Sequence, residues 1–189
     1  MSEHHAVPSS GARQNQFGNL LKRLARRDRF EMDSSLGELF RRSRGAPIDY
    51  QGWKVYAIFE RQIESQQIIH MRLESSRERP QGVCIKIVKG TLLVNAQQLN
   101  EAVIWTDTAP PSVRIVCQPE GKATLKIWNT WKDDAGIVHA WIGNGGMLVD
   151  SSPERVRLRC SDGIGEVSFD DLAVWLRFES HASTYLADK

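Results

Sequence analysis

The feature that most constrains this chain is a change of period near Tyr50. Beyond it, short segments alternate apolar and polar residues: WKVYAIF, QIIHMRL, GVCIKIV, AVIWT, SVRIVC, ATLKIWNTW, IVHAWIG, RVRLRC and LAVWLRF. Between them lie SSRERPQG, DTAPP, QPEGK, KDDAG, NGG, SSPE and SDGIGE, rich in the residues that turns require. A period of two places successive side chains on opposite faces of a strand. Repeated at this cadence without helical patterns between, it predicts a mainly β fold, an antiparallel β-sandwich of roughly eight or nine strands spanning residues 50–180.

Before Tyr50 the pattern is helical. Residues 1–13 are polar, with Ser, Pro and Gly, and read as a flexible tail, as do residues 181–189. Residues 14–45 read as a basic amphipathic helical segment. Phe17, Leu20, Leu21 and Leu24 recur at helical spacing, with Lys22, Arg23, Arg26 and Arg27 on the other face. Ser35 with Glu38 forms a capping-box signal for a second short helix carrying Leu36, Leu39 and Phe40, which Gly45 and Pro47 end. The expected architecture is therefore a sandwich with a short α-helical N-terminal extension.

Composition narrows the function classes. With 41% hydrophobic and 25% charged residues, the 189-residue chain suits one ordinary globular domain with an appendage. Its net charge of +2 points to no partner by itself, so the distribution of charge matters more. The opening MSEHHAVPSSGARQNQ lacks a secretory apolar run, and cytoplasmic residence is the expectation. Cys84, Cys117 and Cys160 each sit in an apolar alternating run, the setting of small buried hydrophobes. CxxC, HExxH, Walker and GxSxG motifs are missing, no spacing joins His70 or His139 to a nucleophile, and catalysis is not expected.

The stretch KIWNTWKDDAGIVHAWIGNGGMLVD carries three of the six tryptophans and reads as a hairpin turning at KDDAG. With Trp131 opposite Val138, the residues Ile127, Asn129, Trp131, Val138, Ala140 and Ile142 share one face, expected to be the core. Lys126, Trp128, Thr130, His139, Trp141 and Gly143 share the other. Trp128 and Trp141 then lie side by side, rimmed by His139 and Lys126, with Asn144 in the following GNGG. Such a pair stacks on a sugar ring, packs under a neighbouring segment, or meets a partner protein. GNGG has two readings as well, a tight turn or a bare backbone that a ligand can approach.

Two basic groups stand out. In RVRLRC, alternation turns Val156, Leu158 and Cys160 inward and leaves Arg155, Arg157 and Arg159 as an outward ladder. Such a ladder meets phosphates or acidic side chains, or protects a sheet edge with charge. The helical segment, with Arg23, Arg26 and Arg27, is expected to dock on its own domain or on another subunit. Contact with an anionic membrane surface or nucleic acid ranks after that.

The closing VSFDDLAVWLRF, through Phe169, Asp170, Asp171, Leu172 and Val174, resembles the last strand of galactose-binding-like, carbohydrate-binding-module-like jelly-roll domains. The resemblance implies a jelly-roll β-sandwich, a glycan ligand and a structural calcium ion held by Asp170 and Asp171. Cofactors are otherwise not expected. Two functions follow from these readings. One is a non-catalytic protein-interaction or assembly module, attached to a protein partner or a second copy through its basic N-terminal helices. The other is a carbohydrate-binding module using the Trp128 and Trp141 platform.

Overall fold

A computed structural model describes residues 34–180 of the chain. The chain divides into two units between Ser35 and Leu36, so the fold described is that of the second unit. The helical pattern over residues 14–30 and both tails lie outside the described residues.

The second unit is mainly β, with one helix, α1 (Leu36–Arg42). Twelve strands follow: β1 (Ile48–Tyr50), β2 (Trp53–Tyr56), β3 (Phe59–Ile63), β4 (Gln67–Ser75), β5 (Gln81–Val94), β6 (Gln97–Leu99), β7 (Glu101–Trp105), β8 (Val113–Lys132), β9 (Val138–His139), β10 (Gly146–Ser151), β11 (Arg155–Ser161) and β12 (Leu172–Ser180). All pairings are antiparallel, in one curled sheet ordered β1-β2-β10-β11-β12-β4-β8-β5-β6. β3 and β9 also pair with β8, and β7 with β5.

The sheet curls because β5 and β8 are long enough to serve two sets of neighbours. The first half of β8 pairs with β4 and the end of β5; its second half pairs with β3, β9 and the start of β5. QPEGK was expected to be a turn, but β8 runs straight through it. Its turn residues instead make a bend: the register shifts between Val88 and Gly90, and Gly90 lies opposite Pro119. A Cβ on Gly90 would come within 2.6 Å of the Gln118 carbonyl oxygen, so only glycine permits this approach. WKVYAIF, expected to be one strand, breaks at Ala57 and Ile58 into β2 and β3.

The concave side encloses one core, built from Ile69 and Met71 of β4, Val83, Ile85 and Ile87 of β5, Ile115, Leu125 and Ile127 of β8, and the inward residues of β11 and β12. Val156, Leu158 and Cys160 all point inward, and all three cysteines are buried, as the alternation predicts. A second, smaller cluster joins Leu36 and Phe40 of α1 to Val55 and Ala57. The capping-box segment is thus a helix as expected, closed by Gly45 at φ 81°, whose N–H donates to the Phe40 carbonyl. Its packing makes it part of the domain rather than an extension, so a boundary after residue 45 cuts through a core cluster.

Candidate functional site

The tryptophan hairpin differs from expectation by one residue. Trp131 pairs with His139 and Lys132 with Val138, not Trp131 with Val138. The cause is the Asp133 side chain, whose Oδ1 accepts the N–H groups of both Ala135 and Ile137 and draws Ile137 into the turn. A slip of one inverts every side chain on the returning segment. Val138 and Ile142, expected in the core, are 54% and 51% exposed. β9 ends after two residues, and the chain leaves the sheet through Trp141, at φ 61°.

On β8 itself the one-sided expectation fails differently. Trp128 and Thr130 are buried as well as Ile127, Asn129 and Trp131, because the curl covers both faces of this strand. Trp128 belongs to the main core. Trp141 lies beside it, ring centroids 5.1 Å apart and planes tilted by 41°, with only the Trp141 ring half exposed.

The polar candidates around the pair each turn elsewhere. His139 Nε2 donates to Asp133 Oδ2 at 2.9 Å. That hydrogen bond, with the Ile137 and Ala135 N–H groups, holds the Asp133 carboxyl below its ordinary range. Lys126 reaches Glu60 at 2.7 Å. Asn144 accepts from the Leu36 N–H and donates to the Gly165 carbonyl, tying α1 to two loops. These contacts make GNGG a structural turn, with both ends of the Asn144 amide in use.

Asp170 and Asp171 do not converge. Asp170 Oδ1 accepts from the Arg159 Nη2 at 2.7 Å on the surface. Asp171 is buried, taking Arg77 Nε at 2.8 Å on one oxygen and the Asp162 N–H at 3.0 Å on the other. Adjacent strand residues point to opposite faces, and each carboxylate is directed at its own arginine. Asp162, also buried, accepts from Gln81 Nε2 and the Ile164 N–H. This donor set holds carboxylates with guanidiniums and amides and does not present the convergent oxygens that calcium takes.

The outward ladder is where functional residues gather. Arg155, Arg157 and Arg159 line the convex side of β11, and the register brings other cations beside them. Arg155 stands opposite Arg177, Arg177 opposite His70, and His70 opposite Arg114, a basic row across four strands. The next row reads Asp150, Arg157, Trp175 and Arg72. The guanidiniums of Arg72 and Arg157 lie 5.4 and 5.6 Å from the Trp175 ring centroid. Glu179 accepts from His70 Nε2 at 3.0 Å and also pairs with Arg177, contacts that hold its carboxyl below the ordinary range. Glu74 pairs with Arg72. Arg114, Arg155 and Arg157 have no carboxylate partner among the described residues.

A groove of about 520 Å³ runs between these rows, lined by Arg72, Arg155, Arg157, Trp175 and Arg177 among others. A second, of about 500 Å³, continues from Arg157 and Asp150 to Trp53, where β2 and β10 diverge after two paired residues. Sequence alternation found the arginines of β11. It missed His70, Arg72, Arg114, Trp175 and Arg177, although each is an outward residue in an alternating segment. Arg23, Arg26 and Arg27 lie outside the described residues.

No helix among the described residues is long and apolar enough to cross a membrane. Comparison of the chain with protein-family models, with curated proteins and with solved structures finds no match.

Proposed function

We propose that this protein is a binding module for a polyanionic partner, with the convex face of β10, β11, β12 and β4 as its working surface. The observation that carries the reading is the row Arg155, Arg177, His70 and Arg114. Like charges directly opposite one another on a sheet oppose folding. One carboxylate, Glu179, serves this row, leaving two guanidiniums to be neutralised by a ligand.

The neighbouring row supports the same reading. Trp175, with guanidiniums against it from both sides, fixes Arg72 and Arg157 by cation–π contact and holds their donors ready for oxyanions. The side chains a catalytic reading would use are otherwise engaged: both His70 and His139 hydrogen-bond carboxylates, and burial pushes Cys84 and Cys117 up to about 12.

Titration of labelled poly-glutamate and of a single-stranded oligonucleotide against the protein tests this. Binding is expected at low salt, weakening as salt rises, and falling several-fold in the Arg155→Gln/Arg157→Gln variant. No binding of either polyanion, or equal binding by the variant, refutes the proposal.

A further inference from the structure

We infer that the polyanion is a single-stranded nucleic acid, laid across the strands from Arg72 to Trp53. The inference rests on the anion-binding reading above and adds the aromatic residues to it.

The two grooves share Arg157 and Asp150 and so form one path. It crosses β4, β12, β11, β10 and β2, which are consecutive in the sheet. At a strand spacing of ~4.8 Å this path is ~19 Å long, enough for several nucleotides. Cations line its first part. At its far end stands Trp53, which is 57% exposed, with no ring or cation against its indole among the described residues. Trp53 has the parity of Val55, and Val55 pairs with Leu148, whose parity is that of Asp150; the indole is therefore on the groove side of β2.

Charge alone does not call for that ring. An acidic peptide offers carboxylates to the arginines and gains little from an open indole. A single strand offers phosphates and unpaired bases together, and bases stack on aromatic side chains whatever their sequence. A duplex keeps its bases stacked inside, beyond the reach of Trp53. Trp175 is covered by Arg72 and Arg157 and works by holding them, so the stacking falls to Trp53.

Fluorescence anisotropy of the full chain with a labelled mixed-sequence single strand, a duplex of the same length and poly-glutamate decides the matter. The single strand is expected to bind most tightly and to quench tryptophan emission. Trp53→Ala should weaken it roughly 5- to 150-fold, the loss of one stacked base, and leave poly-glutamate unchanged. Trp53→Phe, which keeps a ring, should restore most of the loss. Arg155→Gln/Arg157→Gln should lower the slope of log affinity against log salt by about 1.4, at ~0.7 per phosphate contact. Duplex or poly-glutamate binding as tightly as the single strand, or an inert Trp53→Ala, overturns the nucleic-acid inference while leaving the anion-binding reading in place. Failure of all three ligands to bind overturns both.

Discussion

The indole of Trp131 is 1% exposed and sits against two glycines, and this makes Gly163→Ala an informative substitution. A Cβ built on Gly163 falls 2.2 Å from Trp131 Cζ2, 2.7 Å from Cη2 and 2.6 Å from the Ile142 carbonyl oxygen. Carbon atoms rest about 3.5–4.0 Å apart, so the overlap with the ring exceeds about 1 Å. The indole has nowhere to retreat, because a Cβ on Gly145 would lie only 2.7 Å from Cη2. Overpacking of this kind costs about 1–3 kcal/mol. Displacing the Ile142 carbonyl, which accepts the Gly145 N–H at 3.1 Å, adds about 1 kcal/mol. The expected loss for Gly163→Ala is therefore about 2–4 kcal/mol.

Urea melts of four proteins check the reasoning: wild type, Gly163→Ala, Trp131→Phe and the double variant. Phenylalanine lacks the ring atoms that the new methyl strikes, so the double variant should recover 1–3 kcal/mol relative to additivity, about the coupling expected of residues in contact. Trp131→Ala alone should cost about 3–5 kcal/mol. Gly163→Ala within about 0.5 kcal/mol of wild type, or a cycle additive to within about 0.5 kcal/mol, would show that the indole is not wedged between these loops.

Four further outcomes are expected. Trp128→Ala should cost about 3–5 kcal/mol and Trp141→Ala under about 1 kcal/mol, because only the former is in the core; equal losses in thermal melts would contradict that placement. Asp162→Ala should cost about 1.5–3 kcal/mol or more in urea melts, since it strips the acceptor from the buried Gln81 amide and the Ile164 N–H. The Asp133 carboxyl, held low by His139, should titrate below 3.8 by NMR and move up in His139→Ala; a depressed folded value means its stabilisation is present above the unfolded value and is lost as pH falls through the folded one. Arg155→Thr should raise stability slightly at low salt and less at high salt while weakening polyanion binding; destabilisation at low salt would show that Arg155 is not repelled by its neighbours.

What could be read from the sequence follows the range of the forces involved. Alternation is local, and it found the strands β4, β5, β7, β11 and β12 as well as the inward Val156, Leu158 and Cys160. The helix at Leu36 was equally legible, through its cap and its Gly45 stop. Continuity across QPEGK was not, because the residues that make a turn also make a bulge, and only the partner strand with Gly90 decides between them. The Trp131 register turned on a single side chain, Asp133, capping two N–H groups instead of one. In the candidate site, the ladder on β11 was visible, but its neighbours are as distant in sequence as Arg72 and Arg177. Cross-strand rows exist only once the registers are known.

Those registers are set from the inside. Val156, Leu158 and Cys160 of β11 stand opposite Leu176, Val174 and Leu172 of β12, which stand opposite Met71, Leu73 and Ser75 of β4. A slip of one residue at either seam would carry arginines into the core, so the burial that fixes the fold also fixes which outward residues meet. The outward positions are free of that constraint: a threonine or valine there would fit the pleat as well and would carry no charge. The opposed arginines at 155 and 177 thus gain nothing for the fold, and each such pair works against it by about 0.2–1 kcal/mol. A cost placed on the convex face, where the core does not require it, is offset when an anion arrives. For the same reason Glu179 bridges only part of the row, since full neutralisation would remove the repulsion together with the cations that a ligand needs.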